Sequence, residues 1–587
     1  MTTGEKSGGD LPKSGPEETL ATLADRYWEF QTREFPLRAA FSGDDAHPDL
    51  LDRESLSDYE RRDPELARVL GAARAIPPEG LSAASRTTRE MLIREVELER
   101  QSYSLGVHLE ASLLFPFGPH SALILMPQSL AIQGAQGCKD YVARVDKVAR
   151  VMQEVVTRMR AGVHEGRRLP KVLRGRLIEA AGKFAQSDRE AIDHWMRPLQ
   201  AAKNSVSQAT YSASQEAVAG CVTASIAPAF EEYLRFIRDE LPMRESVSIA
   251  DGNAGEELYA HLMRVHLGPG YDARELHGWG HDEVARIEAE MRRQQQALGE
   301  TGDLREFLLR RAQRPEARLA SAEELLTRVS VISKRIDGLV PRFFEHIPRQ
   351  TYGIDLMPAA GAGGMPPAYA DPSPPGALRA GIHWVNPQPE RCTVDMLIPL
   401  ALHEAWPGHL MHIALLTELE ELPAFRRYGA LRATAYLEGW ALYCERLGIE
   451  MGLYRTPDDH LGRLAMEVWR AARLVVDTGL HALRWPRAQA VEYMRAHTSL
   501  PDETIEAEID RYIGMPAQAL AYKVGERKFL ELRAQAEGRF GERFDVRSFH
   551  QRLFACGAVS LDQLDSYVRE WGGPMESDSA GTGPALV

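Results

Sequence analysis

The chain has 587 residues, 44% of them hydrophobic and 26% charged, with 47 Gly and 35 Pro spread along the length. That balance excludes disordered, collagenous and low-complexity proteins. Its 84 acidic residues against 70 basic ones give a net charge of −14, and the basic residues form no stripe, which argues against nucleic acid as a partner.

Residues 1–18 and the tail 572–587 are small and polar and are expected to lie outside the fold. No apolar leader and no long apolar run is present, so neither a secretory signal nor a membrane span is expected, and the cytoplasm is the expected location. Cys138, Cys221, Cys392, Cys444 and Cys556 are far apart and form no CxxC pair, in keeping with a reducing compartment.

From residue 19 to about 350 apolar residues recur at spacings of three and four, as in 141–163 and 282–298. This predicts amphipathic helices and a mainly α fold. Breakers at 165–171 and 266–275 separate helices, and no internal repeat is apparent. The segment 358–376, PAAGAGGMPPAYADPSPPG, excludes a regular helix, and it is expected to rim a site. A short strand follows near 381–387, the one clear strand signal. Helical periodicity then resumes at Thr393. A helical part over 19–350 and a catalytic part over 351–571 are expected, with room for a shared core.

The chemistry concentrates in LIPLALHEAWPGHLMHIALL, 397–416, where His403, Glu404, His409 and His412 stand in an apolar background. Buried imidazoles and a carboxylate need partners. In an HExxH helix two histidines one turn apart hold zinc and the Glu activates water. Here Pro407 occupies the second histidine's place and His409 is six residues on, about 240° around an ideal helix. A widened turn at Pro407-Gly408 would bring His403 and His409 together. Alternatively His409 and His412, at i and i+3, could chelate without distortion. The spacing does not choose between them. For a third ligand, the apolar helix 434–454 offers Glu438, beside Gly439, and Glu445 seven residues on. Glu418, Glu420 and Glu421 read as surface charge. Arg473 and Asp477, at i and i+4, suggest an intrahelical ion pair. Trp406, Trp440 and Trp485 suit packing at least as well as substrate stacking.

The segments HEAWPGH, EGWALYCE, DTGLHALRW (477–485) and RYIGMPAQALAYKVG (511–525), with RAGVHEGRRLPK (160–171) and GWGHDEVARIEAEM (278–291), resemble a large family of mostly uncharacterised bacterial proteins, the domain of unknown function 885. The resemblance covers nearly the whole chain. It implies a helical fold akin to zinc peptidases with a Glu as third ligand, two helical halves flanking a deep channel. It also implies His403, His409 and Glu438 as metal ligands and Glu404 as general base. On this reading His412 stays off the metal. Two positions depart from the family pattern: Leu410 stands where a second His is common, and His383 and Trp384 replace an aromatic pair in the GxFYxN strand.

A metallopeptidase also needs a donor for the oxyanion. Tyr522 and His481 are the candidates, with Tyr512 and Arg473 behind them. The expected function is therefore hydrolysis of peptide or peptide-like amide bonds with one Zn2+ per chain, although Mn2+ or Co2+ suits the same ligands. Short peptides or peptide-like small molecules are the expected substrates, with no membrane partner and the oligomeric state open. The rivals are an amide or acyl hydrolase of a specialised amino-acid conjugate and a non-catalytic helical binding protein with a degenerate metal site.

Overall fold

The computed structural model describes residues 15–114, 118–357, 365–373, 379–391, 393–429 and 432–571. The tail after Trp571, Cys392, and much of the Pro/Gly segment expected to rim a site, 358–364 and 374–378, lie outside the described residues. The fold is mainly α, as expected. Its first described helix, Pro16–Glu34, begins inside the stretch expected to be unpacked. Pro16 opens it where a missing N–H costs nothing, Glu17 and Glu18 complement its dipole, and Glu17 accepts a hydrogen bond from the Ser82 amide at 2.6 Å.

The 141–163 periodicity forms two helices, Gly134–Asp146 and Val148–His164, rather than one. They part at Lys147, whose ammonium donates to the Asp49 carbonyl. The 282–298 pattern falls largely within Ala273–Ala297. That helix runs along Pro457–His481, where Gly280 lets the two approach: a Cβ there would lie 2.8 Å from both Leu474 Cβ and Val475 Cγ2. A capping box of Thr456 and Asp459 starts the Pro457–His481 helix, which is buried along nearly its whole length from Leu461 onward.

Among the described residues three short strands, not one, form the larger sheet. Gly381–Val385 lies between Tyr352–Leu356, parallel to it, and Ala368–Asp371, antiparallel. Strands of four or five residues carry too little alternation to be read, and one of these sits inside the Pro/Gly segment. Leu169–Pro170 and Met243–Arg244 make a further two-residue parallel pair. On the central strand Gly381, His383 and Val385 are buried, and a Cβ at 381 would lie 3.0 Å from Leu410 Cδ2. The sheet therefore covers the helix that follows Gly408.

Both main hydrophobic clusters cross residue 350. One joins Val155, Phe230 and Leu308 to Leu464, Trp469 and Tyr512; the other joins Tyr27, Leu92 and Val340 to Leu402, Trp440 and Phe554. No described helix is long and apolar enough to cross a membrane.

Candidate metal centre

The HEAWPGH segment is a break between two helices, not a widened turn within one. Leu397–Glu404 ends at Glu404, and His409–Thr417 starts five residues later. Proline at 407 cannot donate to the ladder, and the Trp406-Pro407 peptide is cis. Gly408 is required for space: a Cβ there would collide with the carbonyl oxygens of Leu402 and His403. The break swings His409 back so that its ring meets His403 edge-on, centroids 4.8 Å apart.

Glu438 completes the group. Its Oε2 lies 3.4 Å from His403 Nε2 and 3.4 Å from His409 Nε2, and one ligand atom from each of the three residues falls within 4.8 Å of the others. Among the described residues no other trio of His, Cys, Asp or Glu converges in this way. The EGW motif explains the placement. Glu438 points at the histidines. Gly439 packs against Gly525, where a Cβ would meet the Gly525 backbone, so the helices Thr434–Leu447 and Ala521–Phe540 touch at backbone distance. Trp440 donates its indole N–H to the Pro407 carbonyl at 2.9 Å, which ties the break to the helix bearing Glu438.

Glu445, seven residues beyond Glu438, stands behind the cluster. Its Oε1 is 2.8 Å from His403 Nδ1 and 3.4 Å from Arg470 Nη2. This fixes the ring so that Nε2 faces Glu438, the carboxylate–histidine arrangement that orients metal ligands. On the sequence Glu445 stands as an alternative to Glu438 for the third ligand; in the fold it is instead the partner of His403 Nδ1. Its i, i+7 relation to Glu438 on one apolar helix was the available signal.

The charges are tightly coupled. Burial alone would lower His403, but the neighbouring carboxylates of Glu438 and Glu445 and the charge of Glu404 raise its pKa to about 9 without a metal. Burial alone would raise Glu438, yet His403 and His409 hold its carboxyl well below the usual carboxylate range. Glu404 is raised, chiefly by burial and further by Glu438, with both histidines opposing.

Of the two expected donors, Tyr522 reaches the cluster and His481 does not. The Tyr522 ring stacks on His403 with centroids 6.3 Å apart, and the Arg473 guanidinium lies 4.4 Å from its centroid. Burial and the Glu438 charge push its phenol up. His481 instead accepts from the Ile249 amide at Nδ1 and faces the Tyr512 carbonyl at Nε2, 3.0 Å away. Both nitrogens are engaged by backbone. The Arg473–Asp477 ion pair is not made either. Arg473 binds the Tyr512 hydroxyl and Glu508, while Asp477 accepts from Tyr259 and the Ala517 amide. Ala517 has φ +70°, and the carboxylate clamp holds that loop in place. His412, the other potential chelator, is boxed by Tyr436, Trp440 and Phe554 at 5.0–5.8 Å. Trp406 tilts against Tyr352 and Trp485 meets His277 edge-on, both packing roles.

The chain belongs to a family described as "Bacterial protein of unknown function", domain 885, whose model matches residues 36–568. A crystal structure of a putative lipoprotein from Colwellia psychrerythraea is similar over 95% of this chain and 99% of its own, with 25% identity and a TM-score of 0.87. A putative lipoprotein of unknown function from Shewanella oneidensis shares the fold over 94% of this chain and 100% of its own, at 15% identity and a TM-score of 0.68. No curated protein matches the chain.

Proposed function

We propose that the protein is a zinc-dependent hydrolase of peptide or peptide-like amide bonds, akin to the zinc peptidases. The observation that carries this reading is the convergence of His403 Nε2, His409 Nε2 and Glu438 Oε2, with Glu404 adjoining His403 at the same helix end. Two imidazoles and one carboxylate are a donor set of catalytic zinc sites. Among the described residues Glu438 Oε2 is buried without a hydrogen-bond partner, and Glu445 already orients His403, so the residues present fit the ion.

When bound, zinc would supply a Lewis acid that polarises the scissile carbonyl and brings a water pKa to about 7. Glu404, its carboxyl raised by burial, takes the proton of the attacking water and returns it to the leaving nitrogen. Tyr522 keeps its phenolic proton at neutral pH and donates to the developing oxyanion. His481, held by backbone at both nitrogens, has no part in this scheme.

The test is hydrolysis of a panel of unblocked and end-blocked short peptides by the zinc-loaded protein and by Glu404→Gln. Cleavage of several peptides, with a loss of about 10²–10⁴-fold in the variant, supports the reading. Cleavage of an amino-acid conjugate but no peptide would move the protein to small-molecule amide hydrolysis. No cleavage of either class would leave a binding protein.

A further inference from the structure

The GWGHDEVARIEAEM segment contributes nothing to the cluster above, yet its helix presents a second pair of imidazoles. His277 and His281, at i and i+4 on Ala273–Ala297, place their Nε2 atoms 3.3 Å apart, with ring planes at 81°. His277 is half-buried and His281 is exposed. Their hydrogen bonds assign the protons. His277 Nδ1 faces the Val475 carbonyl at 3.1 Å and the Thr478 hydroxyl at 2.9 Å. A carbonyl only accepts, so this nitrogen carries the proton and Nε2 bears the lone pair. His281 must then donate from Nε2 to His277, leaving its Nδ1 to accept from the Tyr493 hydroxyl at 3.2 Å.

We infer that His277 and His281 form a second, surface site for a borderline divalent transition-metal ion. With metal–nitrogen bonds of about 2.0–2.1 Å, the 3.3 Å separation subtends about 105–110° at the ion, close to a tetrahedral angle. The ion takes the place of the proton shared between the two rings. That proton passes to His281 Nδ1, which then donates to the Tyr493 oxygen, so both rings remain neutral and both ligands keep an orienting partner. His277 is prepared for this by its bond to Val475. Water would fill the remaining positions. Imidazole donors favour Cu2+ over Ni2+ and Zn2+, and an ion bridging one helical turn stabilises that turn.

The test uses the full-length protein, stripped with chelator, titrated with Ni2+ by calorimetry, for the wild type, His281→Ala, His403→Ala and the double variant. His281 is exposed, so its loss leaves the fold intact, which a thermal melt checks. The expected result is one equivalent fewer in His281→Ala than in the wild type, one equivalent kept in His403→Ala, and none in the double variant. Wild type and His281→Ala binding the same number of ions would overturn the inference while leaving the buried site standing. A wild type that binds one ion and loses it in His281→Ala alone would support the surface site and count against the buried one.

Discussion

The two histidines on the helix His409–Thr417 stand three residues apart and have opposite surroundings. His409 looks into the break and faces Glu438 at 3.4 Å. His412 looks away from it into Tyr436, Trp440 and Phe554, has no hydrogen bond at either nitrogen among the described residues, and is held down to a pKa of about 3 by burial. What separates a candidate ligand from a core residue here is the company of carboxylates, not position in the motif. A carboxylate offers the ion a charged oxygen; an aromatic box offers only contact area.

That contrast is broken most severely by removing one of its carboxylates or imidazoles. Glu438→Ala or His409→Ala is expected to abolish stoichiometric zinc binding at the buried cluster and any peptide hydrolysis, read by metal analysis and peptide assay. Glu445→Gln, which leaves the three ligands in place but alters the acceptor of His403 Nδ1, is expected to weaken zinc affinity by about 10–100-fold, measured by competition with a chelating dye. Gly439→Ala puts a methyl into the Gly525 backbone. It is expected to destabilise the fold by about 1–3 kcal/mol in denaturant melts and to weaken zinc binding with it, because the same contact seats Glu438.

The smallest effect on zinc binding belongs to the other side of the helix. His412→Phe should leave zinc binding unchanged. It should also flatten the acid dependence of stability. A histidine whose folded pKa lies near 3 contributes full stability above its unfolded value near 6.5, and loses it as pH falls, by at most about 1.4 kcal/mol per pH unit. Melts of both proteins between pH 7 and 4 read the difference: wild type should lose stability faster on acidification than the variant.

The parts legible in the sequence were those with local causes. Three- and four-residue periodicity gave the helices, and Pro407-Gly408 located the distortion that lets residues six apart meet. The form of the distortion was missed, because whether a Pro-Gly pair widens a turn or ends a helix depends on what the freed carbonyls find, here the Trp440 indole. Spacing alone left His403/His409 and His409/His412 both open. It could not show the aromatic box, whose members lie 24 to 142 residues from His412 along the chain. On the sequence His481 is a candidate donor because it stands in one of the family-like C-terminal segments. Its backbone partners at Ile249 and Tyr512 come from other elements and have no sequence signature. The Asp477 clamp on the Ala517 amide joins separate elements and lacks a sequence signature for the same reason.

The most direct test of the central claim is an anomalous difference map at the zinc edge, from crystals of protein loaded with one equivalent of zinc. The account predicts one strong peak bonded to His403, His409 and Glu438, with His412 clear of it. A peak between His409 and His412, or none near Glu438, would contradict it.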